Sequence, residues 1–265
     1  MSKAVSALST GAENAPEFVT ALGRGLEVLT CFGQGHQRMT LSQVAALTDL
    51  SRGTARRFLF TLQALGYLAG DGKLFWLTPK VLLLAKAYLS GNGLADAARP
   101  VVRKVAELLG ESSSLAVLDG ADIVYIARVE TRRIFSSGLE VGARLPAYCS
   151  SLGRVLLAAL EPEALENWLR DHKLEPLTAR TISDPDRLRL KLQEARQQEY
   201  AVIDGEIEIG IRSIAVPVLD ARGRTLAALN VGTLAARSSL DRMRKDFLPV
   251  LRAAAREIGA AATDL

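Results

Sequence analysis

Three arginines and no acid lie in the segment LSRGTARRFLFTL, residues 50–62. Wound at about 100° per residue, Ala55, Phe58, Leu59, Leu62 and Leu65 share about a third of the helical circle, the stripe of a core-facing helix. Arg52, Gly53, Arg56 and Arg57 fall on the opposite side, with Thr54 and Thr61 on one flank. Ser51 stands where an N-cap belongs. A merely solvated face generally mixes signs, because opposite charges at i, i+4 stabilise a helix and like charges do not. From Ser51 to Gly66 there is no Asp or Glu. Such a face suits a polyanion. Phe60 projects onto it as well; packing under a neighbouring element is one account of so large an apolar side chain there.

A second stretch with chemistry is CSSLGRVLLAALE, residues 149–161. Its serines precede an apolar, helix-forming run, so the free backbone N–H groups of a helix start stand beside the Ser150 and Ser151 hydroxyls. That combination receives anions, and Arg144 adds a charge-assisted bond if it points inward. A small carboxylate is the ligand this chemistry suits; ordinary N-capping is the alternative use of the two serines. Cys149 in the same place admits another reading, a nucleophile for a thiol-dependent hydrolase, since a helix N-terminus lowers a thiol pKa. A hydrolase also needs a base beside the thiol, and the two histidines are His36 and His172, neither with an evident path to it. A buried or pocket-lining cysteine is the expectation. The acids of DGEIEIG, residues 204–210, fall at i, i+2, i+4 and share one face of a strand, but no histidine is near and an exposed acidic edge is the simpler reading. GRGLE and DARGR lack phosphate-loop spacing. Neither cofactor, metal nor catalysis is expected.

These stretches belong to different parts of a chain of 265 residues that is 49% apolar, ample for two modest cores. The net charge of +4 sits entirely in residues 1–92, and residues 93–265 balance to zero. A basic small domain joined to a neutral larger one suggests a polyanion-binding module with a second task attached. Two distant cysteines argue for a reducing compartment. No signal peptide and no membrane-length apolar run is evident, so a cytoplasmic protein without membrane partners is expected.

Residues 1–17 read as a lead-in without fixed structure. Leu22, Leu26 and Leu29 start a first helix; Thr40 caps a short second one over LSQVAALT; a tight connection through Asp49 leads to the arginine helix. Two β-prone runs, Tyr67–Ala69 and Leu74–Leu77, then flank the turn GDGK, a hairpin signal. This order is that of a winged helix-turn-helix over 18–79, whose second helix enters the DNA major groove. On that reading Arg52, Thr54, Arg56 and Arg57 meet bases or phosphates, Ser51 and the helix N-terminus orient on the backbone, and Lys73 at the wing tip meets a phosphate. Residues 80–93 form a connecting helix, apolar nearly all round, that calls for a partner subunit or an intrachain cover. From 94 to 265 the pattern is α+β: a helix near 94–109, two strands about DGAD, the helix behind Ser150, a helix from Pro185 to about Gln198, strands near 213–219 and 225–233, and a final helix to about Ala262. A mainly antiparallel sheet is expected from this order.

The stretches LSRGTARRFLFTLQALGYL, LTPKVLLLAKAYLS, DIVYIARV, VGARLPAYCSSLGRVLLAAL, RTISDPDRL, EIGIRSIAVPVLD and LAALNVGT resemble the IclR family of bacterial transcriptional regulators. The resemblance is greatest to its branch (PcaR, PcaU and PobR types) that controls aromatic-acid catabolism through the β-ketoadipate pathway. It implies a winged helix-turn-helix, a linker helix and a GAF-like effector-binding domain, assembled as homodimers or dimers of dimers on palindromic operators. It also implies an effector cavity beside the sheet, walled by Cys149, Ser150, Ser151, Leu152, Asp204, Ser213 and Asn230 and taking a small organic acid, aromatic or dicarboxylate.

Overall fold

The computed structural model describes residues 15–33, 36–91, 93–131 and 139–262, and the chain divides into two compact units, one up to Tyr88 and one from Leu89. Most of the lead-in expected over 1–17 lies outside the described residues.

In the first unit α1 (Thr20–Thr30), α2 (Leu41–Leu47) and α3 (Arg52–Ala64) precede a small sheet of β1 (Met39–Thr40), β2 (Leu68–Gly70) and β3 (Leu74–Leu77). Thr40 caps α2 in a reciprocal box with Gln43, its Oγ1 accepting from the Gln43 backbone N–H at 3.3 Å while Gln43 Oε1 accepts from the Thr40 N–H at 2.8 Å. The α2–α3 connection turns at Asp49, whose φ of 53° is left-handed. Ser51 then caps α3, accepting from the Thr54 N–H at 3.1 Å. Ala55 and Leu59 are fully buried, and with Val28, Phe32, Met39, Val44 and Leu68 they form the core. Leu65 leaves the expected stripe. It sits at the C-cap, where the chain turns off the helix, and is 54% exposed. β2 and β3 pair antiparallel with Leu68 opposite Leu77 and Gly70 opposite Phe75, and β1 adds to the other edge of β3. That hairpin is the wing. Helix α4 (Leu82–Gly91) comes next, with Leu82, Leu83, Leu84 and Tyr88 all about half exposed or more.

In the second unit six strands form one sheet of order β6-β5-β4-β9-β8-β7, every pair antiparallel: β4 (Ser112–Asp119), β5 (Asp122–Val129), β6 (Arg144–Pro146), β7 (Ala201–Asp204), β8 (Ile211–Leu219) and β9 (Thr225–Leu234). Helix α5 (Gly93–Leu109) and the C-terminal run of α9 (Leu240–Arg242), a π-helical turn (Met243–Phe247) and α10 (Leu248–Ala262) cover one face, burying Val102, Val105, Phe247, Leu251 and Ile258 against Ile214, Leu229 and Val231. Helices α6 (Ser151–Ala158), α7 (Pro162–Asp171) and α8 (Pro185–Gln198) belong to the other face, where Leu152, Leu157, Trp168, Leu188 and Leu192 meet Ile123, Tyr125 and Ala215. An antiparallel sheet with helices on both faces is the GAF-like arrangement.

Two local features set the geometry around α6 and β5. Helix α6 starts immediately after the turn Ala147–Cys149, and Gly153 brings its first turn down onto that segment: a Cβ at Gly153 would lie 2.2 Å from the Ala147 carbonyl oxygen. In β5 the register against β4 slips between Leu115 and Ala116, leaving Ile126 as an extra residue. A bulge of this kind resets the alternation of faces, so Tyr125 and Arg128, three apart, come to the same side of the sheet. Arg128 Cζ stands 5.6 Å from the Tyr125 ring centre.

Candidate nucleic-acid interface and ligand cavity

The outward face of α3 carries Arg52, Gly53, Arg56, Arg57, Phe60 and Thr61, all exposed. Among the described residues none of its arginines makes an ion pair. Ser51 Oγ and Thr54 Oγ1 lie 2.9 Å apart, so these two flanking hydroxyls are held together at the helix start. Phe60 is 71% exposed, and the wing does not cover it. At the wing tip Asp71 Oδ1 accepts the N–H groups of Lys73 and Leu74 at 3.0 and 2.8 Å, leaving the Lys73 side chain in solvent. These amides hold the Asp71 carboxyl below its usual range. Beside the wing, Arg38 stacks on Trp76 at 4.4 Å, a further cation that helical periodicity could not reveal because it precedes β1 and reaches the wing only through the β1–β3 pairing. The first unit therefore presents unpaired cations and a helix N-terminus in the order a groove-binding helix and wing require.

In the second unit the start of α6 opens on a small cavity of about 20 Å³. Its walls are Ser150, Ser151 and Leu152 of the helix start, Ser213 and Asn230 of β8 and β9, Ser112, Tyr125 and Arg128 of β4 and β5, and Leu145, Ile207, Ile211 and Gly232. Ser150 is spent as the cap, its Oγ accepting from the Gly153 N–H at 3.0 Å. Ser151 Oγ and Asn230 Oδ1 are both buried and have no hydrogen-bond partner among the described residues. Each such group costs about 1–3 kcal/mol, and both residues stand on the walls of one cavity. Arg128 lines the cavity with its guanidinium engaged: Nε donates to the Leu139 carbonyl at 2.9 Å, Nη1 to Ser114 Oγ at 2.8 Å, and Nη2 to Glu130 Oε1 at 3.3 Å in an ion pair. Burial pushes the Tyr125 phenol up to about 12, so it stays protonated at neutral pH.

Three residues expected at the ligand site lie elsewhere. Arg144 is on the edge strand β6 and half exposed, bridging Asp119 Oδ2 at 2.5 Å and Asp122 Oδ2 at 3.1 Å. The β5–β6 pairing turns it toward the β4–β5 loop, away from the cavity. Asp204, at the end of β7, is clamped by Arg212 Nε at 2.7 Å and Arg180 Nη1 at 3.1 Å. Those arginines, the Arg212 hydrogen bonds foremost, hold its carboxyl below the usual range. Its neighbour Glu206 is likewise taken, by Arg154 Nη2 at 2.7 Å. Cys149 is packed in the core beneath the helix start, its thiol donating to the Pro146 carbonyl at 3.7 Å. Burial pushes that thiol from 9.0 up to about 12. His172 is no base for it: its ring stacks on Trp168 at 4.7 Å and Nδ1 lies 2.8 Å from the Trp168 carbonyl oxygen. Tyr125 and Arg128 went unread in the sequence because strict alternation puts them on opposite faces.

A winged helix-turn-helix with an acid-free recognition helix, joined to a GAF-like unit with a polar-lined cavity, defines a DNA-binding regulator with a sensory domain. Residues 21–72 match the IclR helix-turn-helix domain, and residues 86–260 match the C-terminal domain of the bacterial transcriptional regulator IclR. The chain belongs to the IclR family of bacterial transcriptional regulators. It is similar to the Pca regulon regulatory protein of Pseudomonas putida, 44% identical over 92% of this chain and 84% of that one. It is also similar to the p-hydroxybenzoate hydroxylase transcriptional activator of Acinetobacter baylyi, 37% identical over 91% of each chain. Among solved structures, an IclR homologue from Microbacterium hydrocarbonoxydans complexed with 4-hydroxybenzoate superposes with a TM-score of 0.81 at 27% identity, over 92% of this chain and all of the other. Among the described residues no helix is long and apolar enough to cross a membrane.

The cysteines give a test of this arrangement. Burial also pushes Cys31 up, to about 11. With both pKa values raised above the unfolded value, both thiols stay protonated in the fold at pH 8 and label with Ellman's reagent only when denaturant is added. Above about pH 9 the unfolded thiols lose protons that the folded ones keep, so stability falls as pH rises further. Rapid labelling of Cys149 in the native protein would contradict its placement.

Proposed function

We propose that this chain is a non-catalytic, cytoplasmic transcriptional regulator whose DNA affinity responds to a hydroxylated aromatic acid. The observation that carries the ligand class is the pair of unpartnered buried atoms in one cavity, Ser151 Oγ and Asn230 Oδ1. The Ser151 hydroxyl and the N–H groups at the start of α6 donate to a carboxylate, and Arg128, which also pairs with Glu130 at 3.3 Å, adds to the positive field there. The Asn230 carbonyl oxygen accepts an O–H from the ring's far substituent. The apolar walls Leu145, Leu152, Ile207 and Ile211 suit an aromatic ring between those ends. The relatives' names and the 4-hydroxybenzoate complex of the structural neighbour support the same class. The buried Cys149, whose thiol burial keeps protonated, and a His172 held against Trp168 oppose the hydrolase alternative.

The cavity must open to admit such a ligand, since a cavity known to hold benzene has about 150 Å³ and this one has about 20 Å³. Its yielding wall is the segment carrying Ile207. Gly205 and Gly210 bound that segment with φ of 74° and 89°, and Glu206 ties it down through Arg154 and the Ile182 N–H, at 2.7 and 3.2 Å. Displacing Ile207 opens room for the ring and, through Glu206, pulls on Arg154 of α6.

On the DNA side, Arg52, Thr54, Arg56, Arg57 and Lys73, with Ser51 and the α3 N-terminus, contact the operator. The exposed leucines of α4 are covered by a second copy of the chain, giving a homodimer or dimer of dimers on a palindromic site.

Two measurements check this. Thermal shift across 4-hydroxybenzoate, protocatechuate, β-ketoadipate and muconate is expected to single out a hydroxylated aromatic acid. At 100 times its Kd such a ligand adds about 2.7 kcal/mol, and Ser151→Ala or Asn230→Leu removes that gain while leaving the ligand-free protein at least as stable. Stabilisation that survives both substitutions places the ligand elsewhere. For the assembly, Leu83→Glu is expected to shift sedimentation toward the monomer; an unchanged oligomer would show that α4 is not the contact.

A further inference from the structure

Phe60 is a large aromatic side chain in the middle of a basic, acid-free helix face, and neither the wing nor the core of its unit covers it. A helix lying in a major groove presents side chains at i, i+3, i+4 and i+7 to the base edges, as homeodomain recognition helices do. Counted from Gly53, that set in α3 is Gly53, Arg56, Arg57 and Phe60. The first member is as unusual as the last. A Cβ at Gly53 would meet only Ser51 Oγ, at 3.9 Å, an ordinary contact, and the residue is helical. Glycine destabilises a helix relative to alanine, and nothing inside the unit requires it here. A bare backbone at one end of the row and an exposed ring at the other fit a body that approaches from outside.

We infer that Phe60 reads thymine in the operator by covering a C5-methyl group in the major groove, while Gly53 lets the first turn of α3 come close to the duplex. The inference rests on α3 being the DNA-contacting helix. The chemistry selects the methyl. A phenyl ring neither donates nor accepts hydrogen bonds to base edges and gains nothing from a phosphate. The thymine methyl is the apolar feature that the major groove displays, and phenylalanine is among the side chains that contact it. Arg56 and Arg57, one turn away on the same face, hold the ring at the groove by their attraction to the flanking phosphates or guanine edges.

The test uses the full-length chain and a duplex that the wild type selects from a randomised library at fixed salt. Thymines in that duplex are replaced one at a time by deoxyuridine, which removes the methyl and nothing else. At one or more positions wild-type affinity is expected to fall about fourfold, the factor for burying one methyl-sized group. Phe60→Ala binds the parent duplex at least as weakly and shows no further loss at those positions, whereas Phe60→Leu keeps part of the sensitivity. Because the side chain is exposed, both variants keep the wild-type melting temperature. Uniform indifference of the wild type to deoxyuridine, or a loss that persists in Phe60→Ala, overturns the inference while DNA binding itself stands. A Phe60→Ala variant with intact DNA affinity and an altered oligomeric state overturns it too, in favour of a protein contact. Selection of no preferred duplex by the wild type overturns the DNA-binding reading beneath it.

Discussion

The closeness of α6 to the segment before it governs the sensory unit. Gly153 lies where any side chain would collide with the Ala147 carbonyl, so the helix starts abruptly at Ser151, its first turn against the sheet and its N-terminus facing β8 and β9. That placement consumes Ser150 as a cap and buries Cys149 beneath the turn. It leaves Ser151 facing inward across from Asn230. In a folded protein, buried polar atoms without partners are retained only at a cost. Ser151 Oγ and Asn230 Oδ1 are two such atoms on the walls of one small cavity.

The same packing explains how occupancy of so small a cavity can be felt elsewhere. Ile207 is one wall, and its neighbour Glu206 is buried in an ion pair with Arg154 of α6. Removing one partner of a buried pair costs several kcal/mol, so the segment and the helix move together or the pair breaks. On the proposed reading, a ligand that displaces Ile207 acts on α6 through this pair. Coupling free energies of about 1–3 kcal/mol are typical of ligand-controlled proteins; a shift of that size needs only a modest difference between two packings of this segment.

Much of this was legible in the sequence where structure is local. The Thr40 and Ser51 caps, the hairpin about GDGK and the buried residues Ala55 and Leu59 are set by neighbours within a few positions, as is the partition of charge that leaves the first third of the chain basic. What escaped depends on partners far along the chain. Arg144 found Asp119 and Asp122 through strand pairing, and Asp204 found Arg180 and Arg212; neither pairing has a periodic signature, and both take residues expected at the ligand site out of the cavity. Tyr125 and Arg128 were hidden by one extra residue in β5, which breaks the two-residue period on which any reading of strand faces relies. Helix α7 escaped as well: the charges around Arg170 and His172 interrupt its apolar pattern, although Trp168 and Leu169 are buried.

On this reading a carboxylate at the start of α6 and DNA at α3 are linked. The most direct measurement of that linkage is operator affinity, with and without saturating 4-hydroxybenzoate, for the wild type and for Ser151→Ala at the same ligand concentration. The account predicts a change of about fivefold or more in the wild type and none in the variant, whose affinity for DNA alone is unchanged. Equal ligand effects in both proteins, or saturable binding of the acid in the Ser151 cavity with no change in DNA affinity, would contradict it.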